Sequence, residues 1–324
     1  MTRGLVIGKF YPPHRGHKFL IDSASSQVDE LFVIICQRPN ERPDGELRAS
    51  WLSEIHPRVN VLLVDDENFD PDDSALWAKL TRRWLGFAPD TIFTSEAYGD
   101  KFAECLGSSH VSVDRDRETV PISATQIRAR PLKCWEYLEP CVRSYYAKRV
   151  CLVGAESTGK TTLAGALAAH YRTNWVAEYG REVSERKLSV DGGYHWQTSD
   201  FVTIATAQCR LEDEAARRSN RLLVCDTDAF ATSIWHRRYM GRRSAEVDAI
   251  ANASRRPDLY LLSDAKTPFV QDGTRDGEGI REWMHEVFLE ELSSQERNFQ
   301  VISGSYDERY HQAVKHIDQL LNLN

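Results

Sequence analysis

The sequence lacks several features that mark whole classes of protein. No hydrophobic run approaches the roughly 18 apolar residues that span a bilayer, and the apolar start is soon interrupted by Gly, Lys and Pro. The seven cysteines include no Cys-x-x-Cys pair. Basic charge is not in excess either, since the formal net charge of −7 offers no general attraction to a polyanion. We therefore expect a cytoplasmic protein with reduced thiols, no membrane partner and no general affinity for nucleic acid.

What is present is the composition of an ordinary globular protein. Hydrophobic residues make up 41% of the 324 residues and charged residues 27%, which excludes a mainly disordered or collagen-like chain. Since one domain typically holds roughly 100–200 residues, the length indicates two domains.

Ten short apolar runs fall into two series along the chain. The first series is 4–8, 30–36, 59–64, 91–95 and 110–114, and the second is 149–154, 174–178, 221–228, 259–264 and 299–304. Helix-length segments separate the runs, among them a long predicted helix at 198–219 and a closing helix at 306–321. Continuous apolar strands that alternate with helices predict an α/β protein with two doubly wound parallel-sheet domains. We expect these domains at 1–130 and 149–324, with a connecting helix at 131–148.

A candidate phosphate site directly follows the first predicted strand. The sequence GKFYPPHRGH places His14 and His17 three residues apart on a strand-to-helix loop. Imidazole N–H groups, a glycine that allows close approach, and the free N–H groups of the next helix all favour a bound phosphate. Downstream, PISATQIR supplies hydroxyl groups at Ser123 and Thr125 and a guanidinium at Arg128. The two motifs together predict one anion site.

Two other interpretations exist for the histidine pair taken alone, a surface pair or an incomplete metal site. Zinc would need a third ligand at a recognisable spacing, and no Cys or Asp cluster in the sequence supplies one. The strand before the loop and the second motif at the end of the same domain favour the phosphate site.

A second phosphate motif opens the second half of the chain. The sequence GAESTGKT fits G-x-x-x-x-G-K-[ST] from Gly154 to Thr161, which is a Walker A loop. In such a loop the backbone N–H groups surround the phosphates, Lys160 reaches the β- and γ-phosphates, and the Thr161 hydroxyl binds Mg²⁺. The motif therefore predicts ATP as co-substrate and Mg²⁺ as cofactor.

Acidic residues end two further predicted strands. Glu178 ends one run, and Asp226 and Asp228 end another. We expect Asp226 to hold the magnesium, with Asp228 as second choice, and Glu178 to accept the proton of a substrate hydroxyl. The alternative for Glu178 is a solvated charge at a strand end.

A Gly-rich segment lies between the last two predicted strands. Its sequence, DGTRDGEGIRE, carries Arg275 and Arg281, as a mobile lid over a triphosphate would. The alternative is an ordinary charged loop.

The first two motifs resemble a known superfamily. GKFYPPHRGH and PISATQIR are similar to the HxGH and ISxTxxR motifs of the nucleotidyltransferases. The resemblance implies a Rossmann-like first domain that transfers AMP or CMP through in-line attack of a substrate phosphate on the α-phosphate of ATP. In that reaction His14, His17 and Arg128 would stabilise the developing charge while pyrophosphate leaves.

A nucleotidyltransferase followed by a P-loop kinase resembles the bifunctional NadR-type family, which joins an NMN adenylyltransferase to a ribosylnicotinamide kinase. ELRASWLSEIHP is similar to that family's R-x-x-W-L stretch, which implies that Arg48 meets the NMN phosphate and Trp51 packs near the nicotinamide. TSEAYGDKFA implies that Ser95, Glu96 and Tyr98 line the nucleotide pocket. Three segments of the second half, AEYGRE, CDTD and DGTR, also resemble this family.

The candidate site residues follow from these motifs and this resemblance. The candidate catalytic residues are His14, His17, Arg128, Lys160, Glu178 and Asp226, and the candidate metal ligands are Thr161, Asp226 and Asp228. The candidate nucleotide-binding residues are Gly8, Lys9, Phe10, Gly16, Arg48, Trp51, Ser95, Glu96, Tyr98, Ser123, Thr125, Gly154, Ala155, Glu156, Ser157, Thr158, Gly159, Thr161, Thr162, Arg275 and Arg281. Aromatic candidates for stacking on the flat cationic nicotinamide ring are Trp51, Tyr98, Tyr179 and Trp196.

The resemblance implies an enzyme of NAD salvage. It would phosphorylate nicotinamide riboside with ATP to give NMN, and adenylylate NMN with ATP to give NAD and pyrophosphate. Longer members of the family carry a helix-turn-helix domain, but only three residues precede the first predicted strand here, so we expect no DNA binding. The sequence is compatible with a homo-oligomer. Two alternatives stay open: a sensor that binds NAD or ATP and has kinase activity only, and a coenzyme A synthase-like enzyme.

Overall fold

The computed structural model describes residues 1–66, 69–70, 72–191, 195–266 and 278–322. The chain divides into two compact units, Met1–Val142 and Arg143–Asn324, and each is described by itself. The boundary between the units lies inside the segment 131–148 that we predict as the connector.

The first unit is a five-stranded parallel sheet with helices between its strands. In chain order its elements are β1 (Arg3–Gly8), α1 (Arg15–Ser25), β2 (Glu30–Gln37), α2 (Gly45–Ile55), β3 (Asn60–Asp65), α3 (Ser74–Leu85), β4 (Thr91–Thr94), α4 (Gly99–Leu106), β5 (Ser109–Ser112) and α5 (Ala124–Ala129). The strand order is β3-β2-β1-β4-β5, and every pair is parallel. This is the doubly wound arrangement that the apolar runs predict.

Both faces of this sheet are covered by apolar side chains, which explains why its strands are continuous apolar runs. Successive residues of a strand point to opposite faces. On β1, Leu5 joins the core cluster that contains Phe102 of α4, whereas Val6 joins the cluster that contains Ile21 of α1. The same alternation holds along β2 and β4. Because neither face is left for water, the inner strands β1, β2 and β4 are apolar along their interior.

The second unit repeats the layout with its own strand order. Its elements are α6 (Pro140–Tyr146, which begins just before the unit boundary), β6 (Lys148–Val153), α7 (Lys160–His170), β7 (Trp175–Val176), α8 (Tyr179–Asp191), α9 (Thr198–Arg218), β8 (Leu222–Asp226), α10 (Ala229–Met240), α11 (Ala245–Ala253), β9 (Leu259–Ser263), α12 (Arg281–Ser294), β10 (Phe299–Ile302) and α13 (Tyr306–Leu321). The order β10-β9-β6-β8-β7 is again fully parallel. The predicted fold class, two doubly wound parallel-sheet domains, is confirmed.

Two predicted elements differ from the observed ones. The segment 131–148 is not one helix, because a short 3₁₀ turn at Trp135–Tyr137 is followed by extended backbone at Leu138, and α6 starts only at Pro140. Proline fits the first turn of a helix but disfavours helical backbone at the residue before it, which separates the two pieces. The strand predicted at 174–178 is also shorter, since β7 contains two residues only.

Among the described residues, no helix is long and apolar enough to cross a membrane.

Candidate active site

The first candidate site lies where β1 and β4 end side by side. These strands pair with each other, but the chain continues from β1 to β2 on one side and from β4 to β5 on the other. This reversal makes their carboxyl ends a topological switch point, where ligands commonly bind. A cavity of about 500 Å³ lies among the loops that follow them. Eight of the candidate residues line it: Gly8, Lys9, Phe10, His17, Ser95, Glu96, Tyr98 and Arg128.

His14 and His17 take different places at this cavity. The Nδ1 atom of His14 accepts from the backbone N–H groups of Gly16 at 3.1 Å and His17 at 3.3 Å, so His14 caps α1 and lies behind the cavity wall. The two imidazole rings stack with their centroids 3.7 Å apart. His17 lines the cavity, and its buried Nδ1 has no hydrogen-bond partner within the described ranges. Gly16 contributes a backbone donor here, not cavity surface.

Burial keeps both imidazoles neutral in the free protein. It lowers the pKa of His14 to about 4, and the positive charge of Arg117 acts in the same direction. Burial also holds the pKa of His17 well below its usual value, with further lowering from His14 and Arg117. Neutral rings still donate one N–H each, and they gain affinity for a proton once an anion arrives. The pair is therefore suited to developing negative charge.

Arg128 is held at the mouth of the cavity by the loop after β1. Its guanidinium donates to the carbonyl oxygen of Tyr11 and to the Thr125 hydroxyl at 3.1 Å, and lies 4.7 Å from the Tyr11 ring centroid. Ser123 caps α5 in a reciprocal capping box with Gln126. Ser123 and Thr125 therefore shape α5 and position Arg128, while neither lines the cavity.

Arg48 has a role different from the predicted contact with the NMN phosphate. Its side chain is fully buried and donates to the carbonyl oxygens of Lys9 and Cys36, while its Nη2 pairs with the Glu41 carboxylate at 2.7 Å. Because two of these acceptors are backbone carbonyl oxygens and Arg48 does not line the cavity, Arg48 fixes the loop after β1 from behind. Glu41, which sequence analysis missed, lines the cavity and also binds Lys9 at 2.8 Å.

Trp51 is likewise not on the cavity surface, contrary to the predicted packing near nicotinamide. It is 5% exposed and belongs to the apolar core, because it lies on the buried side of α2. The tryptophan that lines the cavity is Trp77 of α3, whose indole N–H donates to the Asp70 carbonyl at 2.8 Å. The position of Trp77 within the apolar pattern of α3 is that of an ordinary core residue, so the sequence did not indicate that Trp77 lines the cavity.

The second candidate site is built by the loop between β6 and α7. Gly154 and Gly159 adopt positive φ angles of 134° and 77°, and a Cβ atom at Gly154 would lie 2.9 Å from the Ser263 carbonyl oxygen. Only glycine fits that position. The Lys160 ammonium lies over the loop and donates to the carbonyl oxygens of Gly154 at 3.1 Å and Ala155 at 2.8 Å. The loop thus has the closed curve that surrounds a phosphate in Walker A proteins.

Thr161 and Asp226 form a pair that suits a magnesium ion. The Thr161 hydroxyl donates to Oδ2 of Asp226, while Oδ1 of Asp226 is buried with no hydrogen-bond partner in the described chain. An unsatisfied buried carboxylate oxygen beside a hydroxyl fits a hard cation that takes its other ligands from phosphate and water. Burial also raises the pKa of Asp226, and the positive charge of Lys160 acts against this rise.

Asp228 does not fit the second-choice metal role. Its Oδ1 accepts from the Ala231 backbone N–H at 2.9 Å and so caps α10, and its Oδ2 accepts from the Tyr260 hydroxyl at 2.6 Å. Both oxygens are therefore engaged in holding the start of α10, and Asp228 does not line the cavity.

A cavity of about 300 Å³ adjoins the P-loop. Its phosphate side comprises Glu156, Ser157, Thr158, Gly159, Lys160, Thr161 and Thr162, all of them predicted. Its opposite side is aromatic: Trp196 lies 5.3 Å from Tyr239 between ring centroids, and Trp235 lies 6.4 Å from Tyr239. Tyr179, a predicted stacking residue, lines a different surface pocket. Trp196 was predicted as a stacking residue, whereas Trp235 and Tyr239 were not. These two lie four residues apart on α10, the helix that follows the strand ending in Asp226, and this spacing could have indicated them.

Glu178 faces the same cavity with a shifted proton affinity. Burial and the nearby charge of Asp226 raise the pKa of Glu178 to about 7, against the lowering effect of Lys160. A carboxyl group with a pKa near neutrality can both accept and release a proton at physiological pH. Glu156 is tied to the aromatic side of the cavity by an ion pair with Arg238 at 2.6 Å.

Three arginines of the second unit bear on the P-loop site, two of them predicted as nucleotide-binding residues and one not. Arg275 lies outside the described residues. Arg281 is buried at the start of α12 and does not line the cavity. Arg309 of α13, which was not predicted, donates to the Thr158 carbonyl and so supports the P-loop from behind.

Comparisons with known proteins match both units. Residues 5–130 match the cytidylyltransferase-like family and residues 149–309 match the AAA domain family. The trifunctional NAD biosynthesis/regulator protein NadR of Escherichia coli K12 is 31% identical over 99% of this chain and 83% of its own length. The nicotinamide-nucleotide adenylyltransferase of Thermococcus onnurineus is 26% identical over 46% of this chain and 83% of its own. A solved structure of a NadR protein in complex with NR has a TM-score of 0.81 at 22% identity, and the match covers 98% of this chain and 95% of that one.

Proposed function

The chain belongs to the NadR family of NAD biosynthesis proteins, and on that premise we propose that it converts nicotinamide riboside to NAD in two steps at two sites. Residues 149–324 form the kinase domain that makes NMN from the riboside, and residues 1–130 form the adenylyltransferase domain. The observation that carries the proposal is that each unit has its own carboxyl-edge cavity with its own phosphate-binding groups. The match of 46% of this chain to a nicotinamide-nucleotide adenylyltransferase, together with the match of residues 5–130 to the cytidylyltransferase-like family, supports the division of labour.

In the adenylyl transfer, a phosphate oxygen of NMN attacks the α-phosphorus of ATP, and the bond from that phosphorus to the pyrophosphate oxygen breaks. The chain contributes hydrogen-bond donors and charge, with no covalent step. His17 and Arg128 face the cavity where the triphosphate would lie, and His14 fixes the backbone donors of the loop. The imidazoles are neutral before binding, so negative charge that develops on the phosphates is met by groups whose affinity for a proton then rises.

In the kinase reaction, the 5′-hydroxyl of the riboside attacks the γ-phosphorus of ATP, and ADP leaves. Lys160 binds the β- and γ-phosphates, and Glu178 accepts the proton of the attacking hydroxyl. Thr161 and Asp226 would hold Mg²⁺, which would neutralise phosphate charge when bound. The unsatisfied Oδ1 of Asp226 supports this assignment.

The aromatic side of the kinase cavity suits the nicotinamide ring of the riboside, which is flat and cationic. The rings of Trp196, Trp235 and Tyr239 offer π faces for such a ring, and Glu178 adds negative charge nearby. An aliphatic, uncharged pantetheine chain would gain neither interaction. This contrast favours the riboside over the substrate of a coenzyme A synthase-like enzyme.

Product identification tests the proposed function. The protein is incubated with ATP and magnesium, separately with nicotinamide riboside and with NMN, and the products are separated by chromatography. We expect NMN and ADP, followed by NAD and pyrophosphate, from the riboside, and NAD and pyrophosphate from NMN. If NMN yields neither NAD nor pyrophosphate, the two-step proposal is wrong, and a separate titration with NAD then tests whether the first unit is a sensor.

Replacing Glu178 with glutamine tests its role as proton acceptor. The change keeps the shape of the side chain but removes the carboxylate, so we expect kcat of phosphorylation to fall by about 10²-fold. In the unmodified protein, kcat/KM should rise with pH through about 7, because Glu178 must be ionised to act and its pKa is raised to about 7. Loss of this rise in the Glu178→Gln variant is the expected result. An unchanged pH profile would show that another group takes the proton.

A further inference from the structure

A second polar cavity lies in the kinase unit, separate from the P-loop cavity. It measures about 260 Å³ and is enclosed by α10, α11 and α12. Two of its lining residues, Arg256 and Arg297, lie two or three positions before the first residues of β9 and β10, which places the cavity toward the amino edge of the sheet. The P-loop follows β6 at the opposite, carboxyl edge. No described residue lines both cavities.

The charged groups around this cavity are mostly cationic. Those that line it are Arg237, Arg243, Arg256, Arg297, Asp248 and Glu291. Arg243 already engages both carboxylates, with Nη1 at 2.8 Å from Glu291 and Nε at 3.1 Å from Asp248. Arg237 shares Glu291 at 3.5 Å. The two acids are therefore occupied by two arginines, and the other two arginines face the cavity without a carboxylate partner on it.

Those two arginines are available to an anion. Arg297 is buried, and its guanidinium donates to uncharged acceptors, the Tyr260 hydroxyl at 2.8 Å and the Gln295 amide oxygen at 2.9 Å. The Tyr260 hydroxyl in turn donates to the Asp228 carboxylate, which also interacts electrostatically with Arg297. Arg256 is exposed, and the structure gives it neither an ion pair nor a hydrogen bond among the described residues.

A buried hydroxyl gives independent support for a ligand. Ser233 of α10 is 6% exposed and lines the cavity, and its Oγ has no hydrogen-bond partner in the part of the chain that is described. A buried hydroxyl without a partner is costly, whereas a phosphate oxygen would accept its proton. The hydroxyl and the two arginines thus supply uncharged and charged donors around one small space.

We propose that this cavity binds a compact phosphate-bearing anion such as orthophosphate or pyrophosphate. Guanidinium groups match phosphate oxygens in geometry and charge, and the Ser233 hydroxyl adds an uncharged donor on the same cavity. Helix α10 also carries Trp235 and Tyr239 of the kinase cavity, so the same helix contributes to both sites.

Calorimetric titration of the full chain tests this site. The protein is first saturated with magnesium and the non-hydrolysable analogue β,γ-imido-ATP, so that both triphosphate sites are filled, and is then titrated with orthophosphate and, separately, with pyrophosphate. We expect one further site in the unmodified protein for at least one of these anions. Arg256→Gln should weaken it at least about tenfold, because a charge-assisted hydrogen bond is lost. Ser233→Ala should weaken it several-fold.

The controls separate the proposed site from general charge effects. Arg172→Gln removes an exposed arginine of the same unit that does not line the cavity, and should leave the titration unchanged. Because Arg256 is exposed, its replacement should not disturb folding, and a retained unfolding midpoint checks this. The proposal is overturned if the nucleotide-saturated protein takes up neither anion, or if Arg256→Gln and Arg172→Gln bind alike.

Discussion

Replacing Lys160 with alanine is expected to lower phosphorylation of nicotinamide riboside by about 10²- to 10³-fold, because a preorganised cation at the transferred phosphate is lost. NAD formation from NMN should be unchanged, since the adenylyltransferase cavity lies in the other unit and shares no residue with the P-loop. The substitution also removes two hydrogen bonds that the Lys160 ammonium donates to carbonyl oxygens of its own loop, so the unfolding midpoint is measured as well. Rates for both reactions are measured on the same preparation.

Lys315→Ala serves as the matched control, because it removes an exposed lysine of the same unit that lines neither cavity. It should leave both rates unchanged. If Lys160→Ala abolishes both activities while its unfolding midpoint stays that of the unmodified protein, the two sites are not independent. If phosphorylation survives, the P-loop is not the kinase site.

Replacing His17 with alanine should give the reverse pattern. Adenylyl transfer to NMN is expected to fall by about 10²- to 10³-fold, because His17 is the imidazole that lines the cavity and would meet the developing charge. Phosphorylation of the riboside should stay at its original rate. The buried Nδ1 of His17 has no partner in the described structure, so its removal breaks no internal hydrogen bond of that atom.

His14→Ala provides an informative comparison for this result. His14 caps α1 and lies behind His17, so its loss should lower both the stability of the first unit and adenylyl transfer. His17→Ala should affect activity more than the unfolding midpoint. If the two variants lose stability equally and activity equally, then His17 acts only as a structural residue and the assignment fails.

The strands and the phosphate loops could be predicted from the sequence because their signals are local. A strand buried on both faces must be a continuous apolar run, as along β1 and β2, and a loop that surrounds phosphate needs glycine where φ is positive, as at Gly154. The same holds for His17 and Lys160, each of which lies in the first turn of the helix that follows a phosphate-binding loop. These residues are placed by their own segment of chain.

Residues placed by packing between distant segments could not be assigned in this way. Arg48 and Trp51 sit in a recognisable stretch, yet the buried side of α2 turns both away from the cavity, and Trp77 of α3 takes the place on its surface. Asp228 looks equivalent to Asp226 two residues away, but alternate residues after a strand point in different directions, and Asp228 caps α10. The aromatic side of the kinase cavity depends on how α9 and α10 pack, which periodicity alone does not determine.

The central claim is that one chain holds two independent sites that act in sequence, and mixing two single-site variants tests it most directly. Lys160→Ala and His17→Ala proteins are each incubated with nicotinamide riboside, ATP and magnesium, and then together, while NAD is followed over time. We predict little NAD from either variant alone and restored NAD formation in the mixture, because NMN made by the His17→Ala protein is adenylylated by the Lys160→Ala protein. A mixture that forms no NAD, whether or not NMN accumulates, would contradict the claim.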